Sequence, residues 1–169
     1  MDAAALRAAQ APLKERYRSD PSSAMVTLRA RGTLDCTAVA CTVDASRLDA
    51  PAGLHAAAGG TGAERCSGDM LLEALVACAG VTLRAVATAM DIPLRAGTVE
   101  AEGDIDFRGT LGVARDVPVG FQAIRLSFKL DTDAPQERLE KLLQLTERYC
   151  VVSQSLGVRP AMTVARLSA

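Results

Sequence analysis

Aromatic residues make up only 3% of this 169-residue chain, and tryptophan is absent. Platforms for single-stranded nucleic acid rely on aromatic faces, so that class of partner is disfavoured. Histidine occurs once, at His55, and no two cysteines have CxxC spacing, so the usual ligand sets for zinc are missing. Neither sign of charge is in excess: 19 Lys and Arg against 20 Asp and Glu leave a net charge of −1. A chain so balanced projects no basic field toward nucleic acid or anionic membranes. No uncharged apolar run reaches membrane-spanning length. The N-terminus, MDAAALRAAQAPLKERYR, lacks a charged start followed by an apolar stretch and does not read as a secretory signal. These absences lead to the expectation of a cytoplasmic protein with no nucleic-acid and no membrane partner.

What is present is a globular balance, 49% apolar and 23% charged residues, enough for one domain with a real core. The five cysteines are Cys36, Cys41, Cys66, Cys78 and Cys150. An odd number in a reducing compartment argues for free thiols rather than a disulfide framework.

Residues 2–18 read as a helix with a weak apolar stripe interrupted by Pro12, and SDPSS (19–23) as a linker. Residues 1–24 are therefore expected to form an appended arm, and residues 25–169 a single domain. From Met25 the apolar period is two: Val26, Leu28 and Ala30 alternate with Thr27, Arg29 and Arg31, predicting a half-buried strand. Gly32 is placed at the turn, and residues 34–43 at the returning strand. AAAGGTGAERCSG (56–68) reads as a flexible loop.

The segment DMLLEALVACAGVTLRAVATAM (69–90) predicts about six helical turns, with Asp69 as cap or in the first turn. It is apolar on most sides, so it is expected to be covered by the sheet and by a partner. Residues 98–107 and 121–130 predict two strands. One carries Glu100, Glu102, Asp104 and Asp106 on a solvated face, and the other Arg125, Ser127 and Lys129; these faces would pair across an antiparallel ladder. The acidic row has no glycine-bearing calcium loop beside it. Asp133 and Gln136 resemble a capping box for a helix running to Cys150, and residues 161–167 predict a last strand. The fold class is α+β with a mainly antiparallel sheet.

Two cysteines stand out by position. Cys78 lies midway along the buried helix, and Cys150 ends the later helix in ERYCVVSQSLG. Both belong to apolar faces that must form the core. A buried cysteine often serves only as a small hydrophobe, and a mid-helix site is unfavourable for a thiolate without a nearby cation.

The run DMLLEALVACAGVTLRAVA resembles the central helix of the OsmC/Ohr superfamily, where a cysteine follows an Ala/Leu-rich stretch. ERYCVVSQSLG resembles that family's second-cysteine motif, with Val151 where Pro is common. The resemblance implies an intertwined homodimer with its sites at the subunit interface. It further implies a thiol peroxidase acting on organic hydroperoxides or hydrogen peroxide, with no resident cofactor. Cys78 would become a sulfenic acid, Cys150 would resolve it, and an external dithiol would reopen the disulfide. In the family a Glu near the start of the central helix orients an early-strand Arg beside the thiol. Here Asp69, in SGD, stands near the Glu position, and Arg29 and Arg31 are the candidate cations. The absent Pro-x-Glu feature favours an alternative, a catalytically silent dimeric module binding a small hydrophobic ligand at the interface. Cys36 and Cys41 are expected to be filler, Cys66 an exposed loop thiol, His55 a surface or edge residue, and Arg84 to point elsewhere or toward a partner subunit.

Overall fold

The computed structural model describes residues 3–35, 37, 40–44 and 52–167. Helix α1 (Ala3–Ser19) passes through Pro12 without a break. A short 3-10 turn at Pro21–Ala24, capped by the Asp20 side chain, leads into β1 (Met25–Leu34). The chain continues through β2 (Cys41–Val43), β3 (Ala52–Gly53), a 3-10 turn at Ala56–Ala58, and β4 (Arg65–Cys66). Next come α2 (Ser67–Ala89), β5 (Ala96–Asp106), α3 (Phe107–Thr110) and β6 (Phe121–Asp131). Helices α4 (Gln136–Tyr149) and α5 (Val151–Ser155) and strand β7 (Ala161–Arg166) complete the chain.

The main sheet has the order β2-β1-β5-β6-β7, antiparallel except for the parallel pair β6–β7. The α+β class with a mainly antiparallel sheet is therefore as expected. Alternation sorts β1 cleanly: Leu28, Ala30, Gly32 and Leu34 are buried, while Arg29, Arg31 and Thr33 are exposed. Leu126, Leu130 and Val99 are fully buried on the same inner face. Helix α2 lies across this face and α4 packs against α2, so one core runs between sheet and helices. By length and apolarity α2 is the one membrane-length helix among the described residues; part of its apolar surface packs on the sheet and α4.

Gly32 does not make a turn. It sits inside β1, paired with Val99 and Val43, and a Cβ there would lie 2.8 Å from Val76 Cγ1 of α2. Its smallness lets the helix approach the strand. The turn falls after Leu34, where Asp35 N–H donates to Ala40 O at 3.0 Å. Cys36 and part of the expected returning strand lie outside the described residues.

The burial of α2 falls on Leu72, Leu75, Val76, Ala79, Gly80, Leu83 and Ala87. Met70, Leu71 and Val81 are exposed instead. Leu71, Ala85 and Ala89 therefore face away from the core within one chain, while Leu75 is fully buried and Cys78 and Val86 pack partly against it.

Two further local expectations are corrected. Asp106 does not join the solvated acidic row. A register shift at Asp104/Ile105 interrupts the alternation, and Asp106 turns inward to cap α3, accepting from Arg108 N–H at 3.0 Å. Asp133 does not cap α4; it is held by Arg95 Nη1 at 2.5 Å, and Pro135 occupies the cap position without a side-chain bond.

The arm is docked on the domain over residues 7–24. Tyr17 is fully buried with Ala24, Ala58, Phe107 and Leu111 in a second, smaller core, and its hydroxyl donates to Ala57 O at 2.9 Å.

Candidate functional site

Helix α4 ends at Tyr149, and Cys150 is both its C-cap and the N-cap of α5. The chain bends there because Cys150 takes extended backbone angles, φ −72° and ψ 105°, between two helical segments. That bend turns the Cys150 side chain inward onto α2. Cys150 is 0% exposed, whereas Cys78 on α2 is half-buried. The two thiols lie within hydrogen-bonding reach of each other. Both are free.

Burial pushes the Cys150 thiol well above the ordinary thiol value. Hydrogen bonding from the backbone N–H groups of Ser153 and Val152 acts in the opposite direction. Its contact with Cys78 raises it further. Cys150 closes α4, as expected, and it also opens α5, a five-residue helix with no clear periodic signature in VVSQS.

The other candidate residues are not gathered around this pair. Arg29 and Arg31 project from the outer face of the sheet, away from α2. Arg29 Nε binds Glu102 Oε1 at 2.7 Å, and Arg31 Nε lies 3.5 Å from Glu100 Oε1. The cause is visible in the register, which places Arg29 opposite Glu102 and Arg31 opposite Glu100, with period two fixing the face. The chain's own Arg29 and Arg31 therefore do not flank its own Cys78.

Asp69 stands in the first turn of α2, after Cys66 as N-cap. It is nine residues before Cys78, about 13 Å along a helix axis. Asp69 lines a polar cleft of about 230 Å³ with Gly62, Ala63, Glu64, Arg65, Cys66 and Glu73. Burial raises the Asp69 carboxyl and Glu73 adds to that, while His55 and Arg65 oppose it. Arg65 forms a partly buried ion pair with Glu73. Sequence reasoning missed this pair: its members sit on a two-residue strand and a helix, with no motif joining them.

The remaining residues have structural placements. His55 caps the Ala56–Ala58 turn through Nδ1, which accepts from Ala57 N–H at 3.0 Å, and its ring stacks on Phe107 with centroids 5.2 Å apart. Cys41 packs on Gly80 of α2 and donates to Val76 O at 3.9 Å. Cys66 is half-buried rather than exposed.

A family model described as OsmC-like protein matches residues 60–165, from the loop before α2 almost to the end of β7. Two solved structures are similar in fold. One is an OsmC-like protein from Mycoplasma pneumoniae, at a TM-score of 0.58 and 13% identity, covering 85% of this chain and 96% of that one. The other is an OsmC-like hydroperoxide resistance protein from Jannaschia sp. CCS1, at a TM-score of 0.57 and 18% identity, covering 86% and 95%. No curated protein matches the chain.

Proposed function

Since the chain belongs to the OsmC-like family, we propose that it is a thiol-dependent peroxidase, with Cys78 as the attacking and Cys150 as the resolving cysteine. The observation that most supports this reading is the pairing of a half-exposed thiol with a fully buried one in hydrogen-bonding reach. A peroxide arriving from solvent meets Cys78 first. The Cys78 sulfur attacks the terminal peroxide oxygen, the O–O bond breaks, and the alcohol or water leaves with a proton. Cys78 is then a sulfenic acid. The Cys150 sulfur displaces its hydroxyl as water and the S–S bond forms. An external dithiol returns both thiols and leaves as its own disulfide. No resident cofactor takes part. That one similar structure bears the name hydroperoxide resistance protein favours an organic hydroperoxide or hydrogen peroxide as substrate.

Arg29, Arg31 and Asp69 lie away from this chain's own Cys78, and a role for them there would be played across the subunit interface. The exposed apolar side of α2, with Met70, Leu71 and Val81, is covered by a second copy of the chain, so the working unit is a cytoplasmic homodimer. Light scattering checks the dimer; a monomer at micromolar concentration rejects it. The function is tested by peroxide consumption with dithiothreitol. Cys78→Ser abolishes it. Cys150→Ser allows one turnover and leaves a sulfenic acid that dimedone traps. A Cys78→Ser protein that reduces cumene hydroperoxide at the wild-type rate overturns the assignment.

A further inference from the structure

The arm lands on one short turn, and that turn is capped by the chain's single histidine. We infer that His55 is a pH-sensitive latch for the arm: its neutral imidazole holds the Ala56–Ala58 turn in the shape on which residues 7–24 dock, and protonation releases them. The latch is independent of the thiol chemistry above.

Two side chains of α1 end on this turn. Gln10 Nε2 donates to Ala58 O at 3.1 Å, and Tyr17 OH donates to Ala57 O at 2.9 Å. Gly59 closes the turn at φ 88°, and a Cβ there would lie 3.1 Å from Gln10 Cγ, so α1 is seated closely on it. The two accepting carbonyls are aimed by the turn itself. Ala58 N–H donates to His55 O at 2.8 Å, and Gly59 N–H to Ala56 O at 3.0 Å. Ala57 N–H stands too early in the turn for a carbonyl of its own. His55 Nδ1 accepts it instead, at 3.0 Å. The His55 ring also stacks on Phe107, which shares the second core with Tyr17. Ring, turn and arm are therefore one cluster.

An imidazole accepts at Nδ1 only while that nitrogen carries no proton. The hydrogen of the neutral ring is then on Nε2. A second proton, taken from solvent, makes both nitrogens donors, and Nδ1–H meets Ala57 N–H donor to donor. The ring must leave the amide or the turn must open. Either change removes the platform under Gln10 and Tyr17. The charged groups on the surrounding elements do not restore it. Arg65 on β4 is paired with Glu73 of α2, Arg108 on α3 is held by Asp106, and Arg16 on α1 lies over the Tyr17 ring. Asp69 on α2 attracts a cationic ring through space, and a ring drawn toward it leaves the Ala57 amide. The latch is thus set above the pH range in which histidine takes up its proton, and released below it.

Hydrogen exchange of the full-length protein tests this. Exchange is followed by mass spectrometry at about pH 8 and about pH 5.5, on either side of the histidine range. Rates are divided by those of an unfolded chain at each pH, which leaves the protection due to docking. Wild-type protection over residues 7–18 is expected to fall about five- to thirtyfold at the lower pH, the worth of a lost cap. Protection of β5 and β6 is expected to stay unchanged. His55→Asn supplies a capping oxygen that does not titrate, so its arm should be equally protected at both pH values. His55→Ala has no cap, and its arm should be weakly protected at both. The latch is overturned if wild-type arm protection is the same at the two pH values, or if His55→Asn shows the same fall. An arm in His55→Ala as protected as wild type at the higher pH also overturns it, as does an arm in His55→Asn that is unprotected there. A fall shared by β5 and β6 is loss of the whole fold and rejects the latch too.

Discussion

The two faces of the central sheet are built from the same strands and register, yet they behave as different materials. On the inner face Val99, Ala101, Leu126 and Leu130 are fully buried against α2 and α4. On the outer face Arg125 binds Asp104 at 2.5 Å and Glu102 at 3.2 Å, and Glu102 also accepts from Arg29. Every residue step along β6 crosses from one to the other. The contrast separates stability from charge order: burying apolar area contributes far more than ion pairs held in water. It also separates the candidate chemistry. The thiol pair lies on the helix side, and the early-strand arginines lie on the side that meets solvent.

Adjacent residues on β6 allow the contrast to be measured with the backbone unchanged. Leu126 is 0% exposed on the inner face. Leu126→Ala removes buried methyl groups and leaves a cavity, so stability falls by about 2–5 kcal/mol. For a domain of this size that lowers Tm on the order of 10 °C. Calorimetry of the two proteins checks it. A loss below about 1 kcal/mol would mean that the inner face collapses around the gap, and that the two faces differ less than their burial implies.

A second substitution probes how closely α2 is seated on this face. At Gly80 an added Cβ would lie 2.5 Å from Cys41 Sγ and 2.7 Å from Cys41 Cβ. Gly80→Ala gains helix propensity of about 1 kcal/mol but overpacks the contact with β2, at a cost of about 1–3 kcal/mol. The expected result is a net loss of about 1 kcal/mol. Combining it with Cys41→Ala removes the sulfur contact and recovers part of that loss. A single variant more stable than wild type would show that β2 yields freely, and that Cys41 is not wedged against the helix.

Much of this was legible where periodicity is strong. Strands β1, β6 and β7 and helices α2 and α4 follow from alternation and from 3.6-residue spacing, and β5 does as far as its register shift at Asp104/Ile105. The errors cluster where one contact overrides a local signal. Gly32 looks like a turn residue, but a helix needs its missing Cβ. Asp106 looks solvated, but a bulge two residues earlier reverses its face. Asp133 looks like a cap, but Arg95 is a stronger partner than an amide. In the thiol site the two cysteines could be named from their motifs. Their difference in exposure could not, because it depends on the bend at Cys150. The face of Arg29 and Arg31 was present in the alternation, since both share parity on a strand whose apolar partners face the helix.

The smallest expected effect comes from the outer face. Arg125 is 43% exposed, and its pairs with Glu102 and Asp104 are bathed in solvent. Arg125→Gln should cost about 1 kcal/mol or less at neutral pH. Its signature lies in the pH dependence. Hydrogen bonds from Arg125, and then from Thr27, hold the Asp104 carboxyl down to about 2. Its ordinary value in an unfolded chain is about 3.9. A carboxyl depressed in the folded state stabilises above the unfolded value, and that stabilisation is lost as pH falls through the folded value. The gap between wild type and Arg125→Gln should therefore be full above about pH 5, shrink below about pH 4, and nearly close toward pH 2. Salt should narrow it at neutral pH, since exposed pairs are screened. Urea titrations across that range measure it. A gap that stays constant with pH and salt would mean that Arg125 acts through its aliphatic stem packed on the sheet, and the outer face would then be a packing surface as well as a charged one.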